Sequence, residues 1–200
     1  MADKSLGTTT GRRRPGRPRG TSNSRARVLA VAEKLFAEEG INGPGLRRIA
    51  AAADIRASSL IHLFGSRDGL IDAVVERAAR DLNTTLAAAR TTDDLRTRLI
   101  AWMHQHPDRL RMLAAVMLMG ESADKTGSPA ARRRARTAVW PLRNALHRLR
   151  GSAGLAGQVE FAFLLSTLAF ARATAPLFAE ATGVETRRWL TELERLVSRL

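Results

Sequence analysis

A short break between two helical patterns is the feature that most constrains this chain. Within residues 46–64 an apolar helical pattern stops at Asp54 and restarts at Ala57. Asp tolerates the positive φ of a tight turn, although Gly adopts it more readily, and Ala50 is small enough for two helix backbones to approach closely. The stretch therefore predicts a helix-turn-helix whose inward residues are Ile49, Ile55, Leu60, Leu63 and Phe64.

The rest of the chain repeats the helical period, so we predict an all-α fold of about nine helices. Gly40 is expected to end the first helix, and Ser66 to cap the long helix that follows the helix-turn-helix. Residues 121–128 are polar and predict a loop. The predicted helices run from about 24 to 39, 46 to 53, 57 to 63, 68 to 89, 92 to 105, 107 to 120, 129 to 150, 155 to 179 and 183 to 200.

Composition excludes several classes of protein. The chain has no cysteine, so disulfides and thiolate chemistry are excluded. Its longest strongly apolar run, residues 161–171, has 11 residues and is too short to cross a bilayer. No apolar segment follows the charged N-terminus, as a signal peptide would require. We therefore expect a cytoplasmic protein without membrane contact.

Positive charge is concentrated ahead of the helix-turn-helix. Residues 1–27 hold eight basic side chains and one acidic, a net +7 of the chain's total of +14. Residues 1–23 lack apolar periodicity and predict a disordered basic arm. Within the arm, residues 15–20 resemble an AT-hook, in which Arg17 and Arg19 would enter a minor groove. A generic basic arm that only adds electrostatic affinity is the equal alternative.

Residues 24–70 resemble the TetR family of bacterial transcriptional regulators. The matching motifs are VLxxAxxLF followed by EEG (28–40), LxxIAxxA (46–53) and SLxxxFxSRxxL (59–70). The resemblance implies a DNA-binding domain over residues 24–67 and a C-terminal regulatory and dimerisation domain over residues 68–200. It also implies a sequence-specific regulator, a ligand-released repressor that binds a palindromic operator as a homodimer through its last two helices.

The resemblance also implies which residues contact double-stranded DNA. Arg56, Ala57, Ser58 and Ile61 would reach base edges in the major groove. The residues expected to contact phosphates are Arg47, Arg48, Ser59, His62 and Arg67. Two helix starts depart from the family pattern, because neither Gly45 nor Arg56 can cap the helix that follows it.

The resemblance further implies a small-molecule effector, largely apolar, that binds between the C-terminal helices. The candidate ligand-binding residues are Trp102, Met103, Met112, Met117, Trp140, Phe161, Phe163, Phe170 and Arg172. For the apolar residues, an ordinary core position is the alternative. Arg172 could anchor an anionic ligand or pair with Glu160 or Glu180 at a dimer seam, and the pairing is slightly favoured.

Catalytic and metal chemistry have no visible carrier in the sequence. His104 and His106 point to different faces of one helix and lack a third ligand, so we predict no metal site. No phosphate loop, nucleophile elbow or carboxylate pair is present, and neither enzyme activity nor a cofactor is expected. Residues 132–136 predict a solvated arginine face. A largely non-specific architectural DNA-binding protein with a filled core is the alternative function, and a helical enzyme or ligand carrier is the third.

Overall fold

Helices account for nearly all of the chain that the structure describes. The computed structural model describes the backbone of residues 19–126, 128–149, 170–171, 174–175 and 179–197, and those ranges contain no strand. The helices are α1 (Arg19–Glu39), α2 (Leu46–Ala52), α3 (Ala57–Phe64), α4 (Arg67–Ala87), α5 (Thr92–Gln105), α6 (Pro107–Thr126), α7 (Pro129–Arg148) and α8 (Thr186–Val197). The all-α prediction is confirmed. Most of the helix predicted for residues 155–179 lies outside the described residues.

The first three helices form a unit that we call the head, residues 19–64. Each helix contributes apolar side chains to a shared core, and α1 packs against α2 while α2 packs against α3. Phe36 of α1 and Leu60 of α3 are each at most 1% exposed. The fully or nearly fully buried residues of the head are Val28, Leu29, Ala32, Phe36, Ile41, Ile49, Ala50, Ala53 and Leu60.

The turn between α2 and α3 has the backbone conformation that the sequence predicts. Asp54 adopts a φ of 51°, and its N–H donates to the carbonyl of Ala51 over 3.1 Å. Gly40 ends α1 with a φ of 78°. Arg56 and Gly45 occupy the N-cap positions of α3 and α2 without a side-chain cap hydrogen bond, as predicted. The turn therefore holds a non-glycine residue at its left-handed position.

Replacing Asp54 with glycine should leave the stability of the head unchanged or raise it by up to about 1 kcal/mol. Glycine removes left-handed strain of roughly 1 kcal/mol, and its greater freedom in the unfolded chain offsets part of that gain. Asp54→Val should instead lower the free energy of unfolding by about 1–2 kcal/mol, because a β-branched residue tolerates positive φ poorly. Chemical denaturation measures both, with Ala52→Val on a helical, exposed position as the control. Equal stability of the glycine and valine variants would contradict this account of the turn.

Two helix boundaries differ from the sequence predictions by five residues or more. Helix α1 begins at Arg19 rather than near Ser24, so the last residues of the predicted arm are helical despite their low helix propensity. The predicted loop over 121–128 was wrong, because α6 continues to Thr126 before the break at Ser128. In both cases the helix continues into polar sequence, because extending an existing helix costs less than nucleating a new one. Helix α5 begins at Thr92 as predicted, and Thr91 caps it with a hydroxyl that accepts from the N–H of Asp94 over 3.1 Å.

Helix α4 is the central element of the remaining helices. Ser66 caps it as predicted, and its side chain accepts from the N–H of Gly69. It contacts α1 and α3 of the head and also α5, α6 and α7. Its buried residues are Leu70, Ile71, Val74, Val75, Ala78, Ala79, Leu82 and Leu86. None of the helices searched, which cover only the described residues, is both long and apolar enough to span a membrane.

Candidate DNA-binding surface

The outer face of α3 is exposed rather than part of the core. Leu60 anchors the helix and is completely buried. Ile61 is 48% exposed, so its predicted outward position agrees with the structure and a core role does not. The exposed residues around it are Arg56, Ser58, Ser59 and His62, while Ala57 is half-buried. The short helix thus presents a polar and apolar face of the size that a major groove accepts.

The basic residues predicted to contact phosphates occupy different environments. Arg47 is exposed on α2, and Arg48, also exposed, pairs with Glu39 over 2.8 Å. Arg67 is half-buried, and its guanidinium donates to the carbonyl of Ile41 over 2.6 Å and to that of Pro44 over 3.4 Å. Arg67 therefore ties the start of α4 to the loop between α1 and α2. Its phosphate contact stays a prediction.

Two arginines that the sequence analysis did not single out also lie beside α3. The guanidinium carbon of Arg25 lies 4.8 Å from the ring centroid of Phe64, at the last residue of α3. Arg27 donates to the carbonyl of Asp54 over 3.4 Å, at the turn before α3. Both side chains belong to exposed residues of α1. Their position at the start of a helix within a basic segment was the available signal.

The predicted ligand residues that the structure describes differ widely in exposure. Trp102, Met103 and Met112 are at most 2% exposed and belong to the main hydrophobic core. Met117 and Trp140 are half-buried, whereas Phe170 is 61% exposed. The positions of Phe161, Phe163 and Arg172 lie outside the described residues, as does Arg17, and the side chain of Arg19 is likewise not described. The ligand site therefore stays a prediction.

A pair of arginines on α7 holds that helix against the start of α4. Arg134 donates through Nε to Oδ1 of Asp72 over 2.6 Å and through Nη2 to Asp68, while Arg133 contacts Oδ2 of Asp72 over 2.6 Å. The side chain of Arg134 is 12% exposed. A cleft of about 40 Å³ beside these groups is too small for an ordinary organic effector. For Arg134 the predicted solvated face was wrong, because this side chain packs against carboxylates of α4, whereas the side chain of Arg133 is 62% exposed.

Asp68 should make folding sensitive to acid. The hydrogen bond and the charge of Arg134 hold the pKa of Asp68 below its ordinary value of 3.8. A carboxyl with a depressed folded-state pKa stabilises the fold fully above its unfolded-state pKa, and loses that contribution as pH falls through the folded-state pKa.

Asp68→Asn should therefore be less stable than wild type at neutral pH, and the difference should shrink below about pH 4. Thermal unfolding across a pH series measures it. Asp93→Asn, which removes an exposed carboxylate paired within α5, is the control. A stability difference that does not change with pH would contradict the ion pair as its cause.

A second ion-pair cluster joins the head to the other helices. Arg109, in the first turn of α6, donates through Nε to Oε1 of Glu33 on α1 and through Nη1 to Oδ2 of Asp81 on α4, each over 2.7 Å. Oδ2 of Asp81 also accepts from Nε1 of Trp102 over 2.7 Å, and His106 lies 3.6 Å away. The side chains of Glu33 and Arg109 are each 13% exposed. No local sequence pattern predicts this contact.

The fold and the exposed α3 define the class: an all-α protein with an N-terminal helix-turn-helix. Residues 28–74 match the family described as bacterial regulatory proteins, tetR family. The match places a helix-turn-helix domain similar to that of this family in residues 28–74. Members of this family are DNA-binding transcription factors rather than enzymes.

The relatives match this chain over less than half of its length. The HTH-type transcriptional regulator BetI of Burkholderia mallei is 33% identical over 95 residues, 46% of this chain and 49% of the relative. RaaS of Mycobacterium tuberculosis is 39% identical over 74 residues, 37% of this chain and 34% of its own. The transcriptional repressor KstR2 of Rhodococcus jostii is 38% identical over 63 residues, 32% and 31% of the two chains. The chain therefore spans about half or less of these relatives.

Solved structures share the fold over most of the chain. A transcriptional regulator from Rhodococcus sp. Rha1 superposes with a TM-score of 0.64 at 16% identity, covering 88% of this chain and 95% of its own. A TetR transcriptional regulator from Legionella pneumophila superposes with a TM-score of 0.61 at 19% identity, covering 86% and 94%. At this identity the likeness concerns the fold alone.

Proposed function

We propose that this protein is a sequence-specific transcriptional repressor that binds a near-palindromic operator as a homodimer and is released by a small molecule. The exposed face of α3 carries the proposal. Arg56 and Ile61 are exposed, so Arg56 would contact a guanine and Ile61 a thymine methyl group. Arg47 and Arg48, also exposed, would contact phosphates. The name of the matching relative KstR2 adds support for repression.

A dimer is required by the size of the reading surface. One α3 has 8 residues and covers only a half-site, so two copies related by a twofold axis would read a near-palindrome with centres about 34–36 Å or a multiple apart. We assign the dimer contact to the predicted helix over residues 155–179 and to α8. Phe170, which is 61% exposed, belongs to the first of these, and Val184, which is 36% exposed, lies just before the second.

The effector is proposed to bind among α5, α6, α7 and the segment before α8. Trp140 and Met117 are half-buried and could change environment without breaking the main core. Ligand binding would tilt α4 and alter the separation of the two heads, which biases the protein between DNA-binding and released states. A liganded structure with unchanged head separation would overturn this mechanism.

The decisive experiment is binding to DNA from upstream of the protein's own gene across a salt series. A shuffled duplex of equal composition is the matched control. Preference for the native duplex that survives physiological salt, with footprinting of a near-palindrome, is the expected result. Equal binding to both duplexes that collapses with salt would overturn it and favour an architectural protein whose basic arm, rather than α3, supplies the affinity.

A further inference from the structure

We propose that Arg109 and Glu33 form a joint through which α6 sets the orientation of the head, in addition to the contacts of α4 with the head. Both are positioning residues, and neither is exposed on the α3 face. This inference rests on the proposed function, because the orientation of the head matters only if the head reads DNA. Orienting the head would then be a role of two side chains that take no part in the turn of the helix-turn-helix.

The contact joins two parts of the molecule that are far apart in sequence. Glu33 belongs to α1 of the head, and Arg109 lies 76 residues further along the chain. Helix α1 packs against α6 as well as against α4, so the head contacts two helices of the rest of the molecule through α1. A displacement of α6 therefore reaches α1 directly.

Arg109 is placed where such a displacement would begin. Arg109 lies in the first turn of α6, and α6 begins directly after His106. His106 is not helical, with a φ of −131° and a ψ of 57°. This residue separates α5 from α6, so the two helices can change their relative angle there. Any such change would move the guanidinium that both Glu33 and Asp81 share.

The carboxylate of Glu33 depends on Arg109. Its Oε2 is buried and has no hydrogen-bonding partner among the described residues, while its Oε1 accepts from Nε of Arg109. A buried carboxylate that loses its cation is strongly unfavourable. The pair therefore favours one placement of α1 on α6 over others, which is the property that a joint requires.

Distances between spin labels on the free protein test the joint. The chain has no cysteine, so labels attach only at introduced sites. Ala51→Cys on α2 and Arg143→Cys on α7 are exposed positions that report the head and the rest of the molecule. The labelled chain is diluted with unlabelled chain so that only distances within one protomer are measured.

Glu33→Gln and Arg109→Gln are each introduced into this labelled background. We expect each variant to shift the distance between the labels or to widen its distribution to at least about twice that of the parent. Arg111→Gln is the matched control, because Arg111 lies on the same helix and, within the described part of the chain, pairs with Asp108 of that helix. It should keep the parent's distribution.

A purely structural ion pair would lower Tm and leave the distance distribution unchanged. That result in Glu33→Gln, the milder variant, would overturn the proposal of a joint. Circular dichroism checks that the variants fold. Failure of the proposed function would be seen in a different measurement. The parent protein would then bind native and shuffled DNA equally, while the spin labels would still show the effect of the Arg109–Glu33 pair on the head.

Discussion

Replacing Phe36 with alanine should lower the free energy of unfolding by about 3–5 kcal/mol. Phe36 is 1% exposed and packs in the core between α1 and the helix-turn-helix, so truncation leaves a cavity that the surrounding side chains cannot fill. Chemical denaturation followed by circular dichroism measures the loss. Because a marginally stable domain has only about 5–15 kcal/mol in total, the variant should be partly unfolded at elevated temperature.

Phe36→Leu is the control for this substitution. It keeps most of the buried apolar volume, and its cost should be about 1–1.5 kcal/mol. DNA binding by the folded fraction of both variants should be unchanged, because Phe36 is buried below the α3 surface. Equal destabilisation by leucine and alanine would show that the aromatic ring's shape, rather than the volume it fills, determines stability at this position.

Replacing Ile61 with aspartate should weaken DNA binding by about 30-fold or more, equivalent to about 2 kcal/mol. The new carboxylate would face the negatively charged groove edges, and it would remove the proposed apolar contact with a base. The same change should alter the free energy of unfolding by less than about 0.5 kcal/mol, because Ile61 is 48% exposed. Anisotropy with a labelled operator duplex and denaturation, measured side by side, separate the two effects.

Ile61→Ala and Val139→Asp are the controls for this charge reversal. The alanine variant removes the apolar contact alone, and its affinity should fall by about 3-fold to 10-fold. Val139 on α7 is 42% exposed and lies away from α3, so the second control introduces the same carboxylate without entering the proposed interface. An equal loss of affinity from Val139→Asp would contradict α3 as the reading surface.

Local spacing determined the parts of the fold that the sequence predicted well. The helix-turn-helix depends on residues within a single stretch of 19, and the requirement at Asp54 for a left-handed backbone is a property of one residue and its turn. The exposure of Ile61 follows from the position of Leu60, because adjacent residues on a helix point in directions about 100° apart.

Long-range pairing was beyond the reach of the same reasoning. The sequence around Arg133 and Arg134 does not indicate whether these side chains face solvent or the carboxylates of Asp68 and Asp72. Glu33 and Arg109 likewise form a pair only after α1 and α6 have packed. Arg67 was predicted from the family pattern as a phosphate contact, and its hydrogen bonds to the loop before α2 depend on the geometry of the folded head.

The hydrogen bond between Trp102 and Asp81 gives the protein a native optical probe. The chain contains three tryptophans and no tyrosine, so its near-ultraviolet emission comes from indole rings alone. Trp102 is 2% exposed, and its N–H reports on the carboxylate that Arg109 also contacts. In a chain with Trp140 and Trp189 replaced by phenylalanine, the remaining fluorescence comes from Trp102. Its emission wavelength and intensity would report structural changes where α4, α5 and α6 meet, in real time and without any added dye.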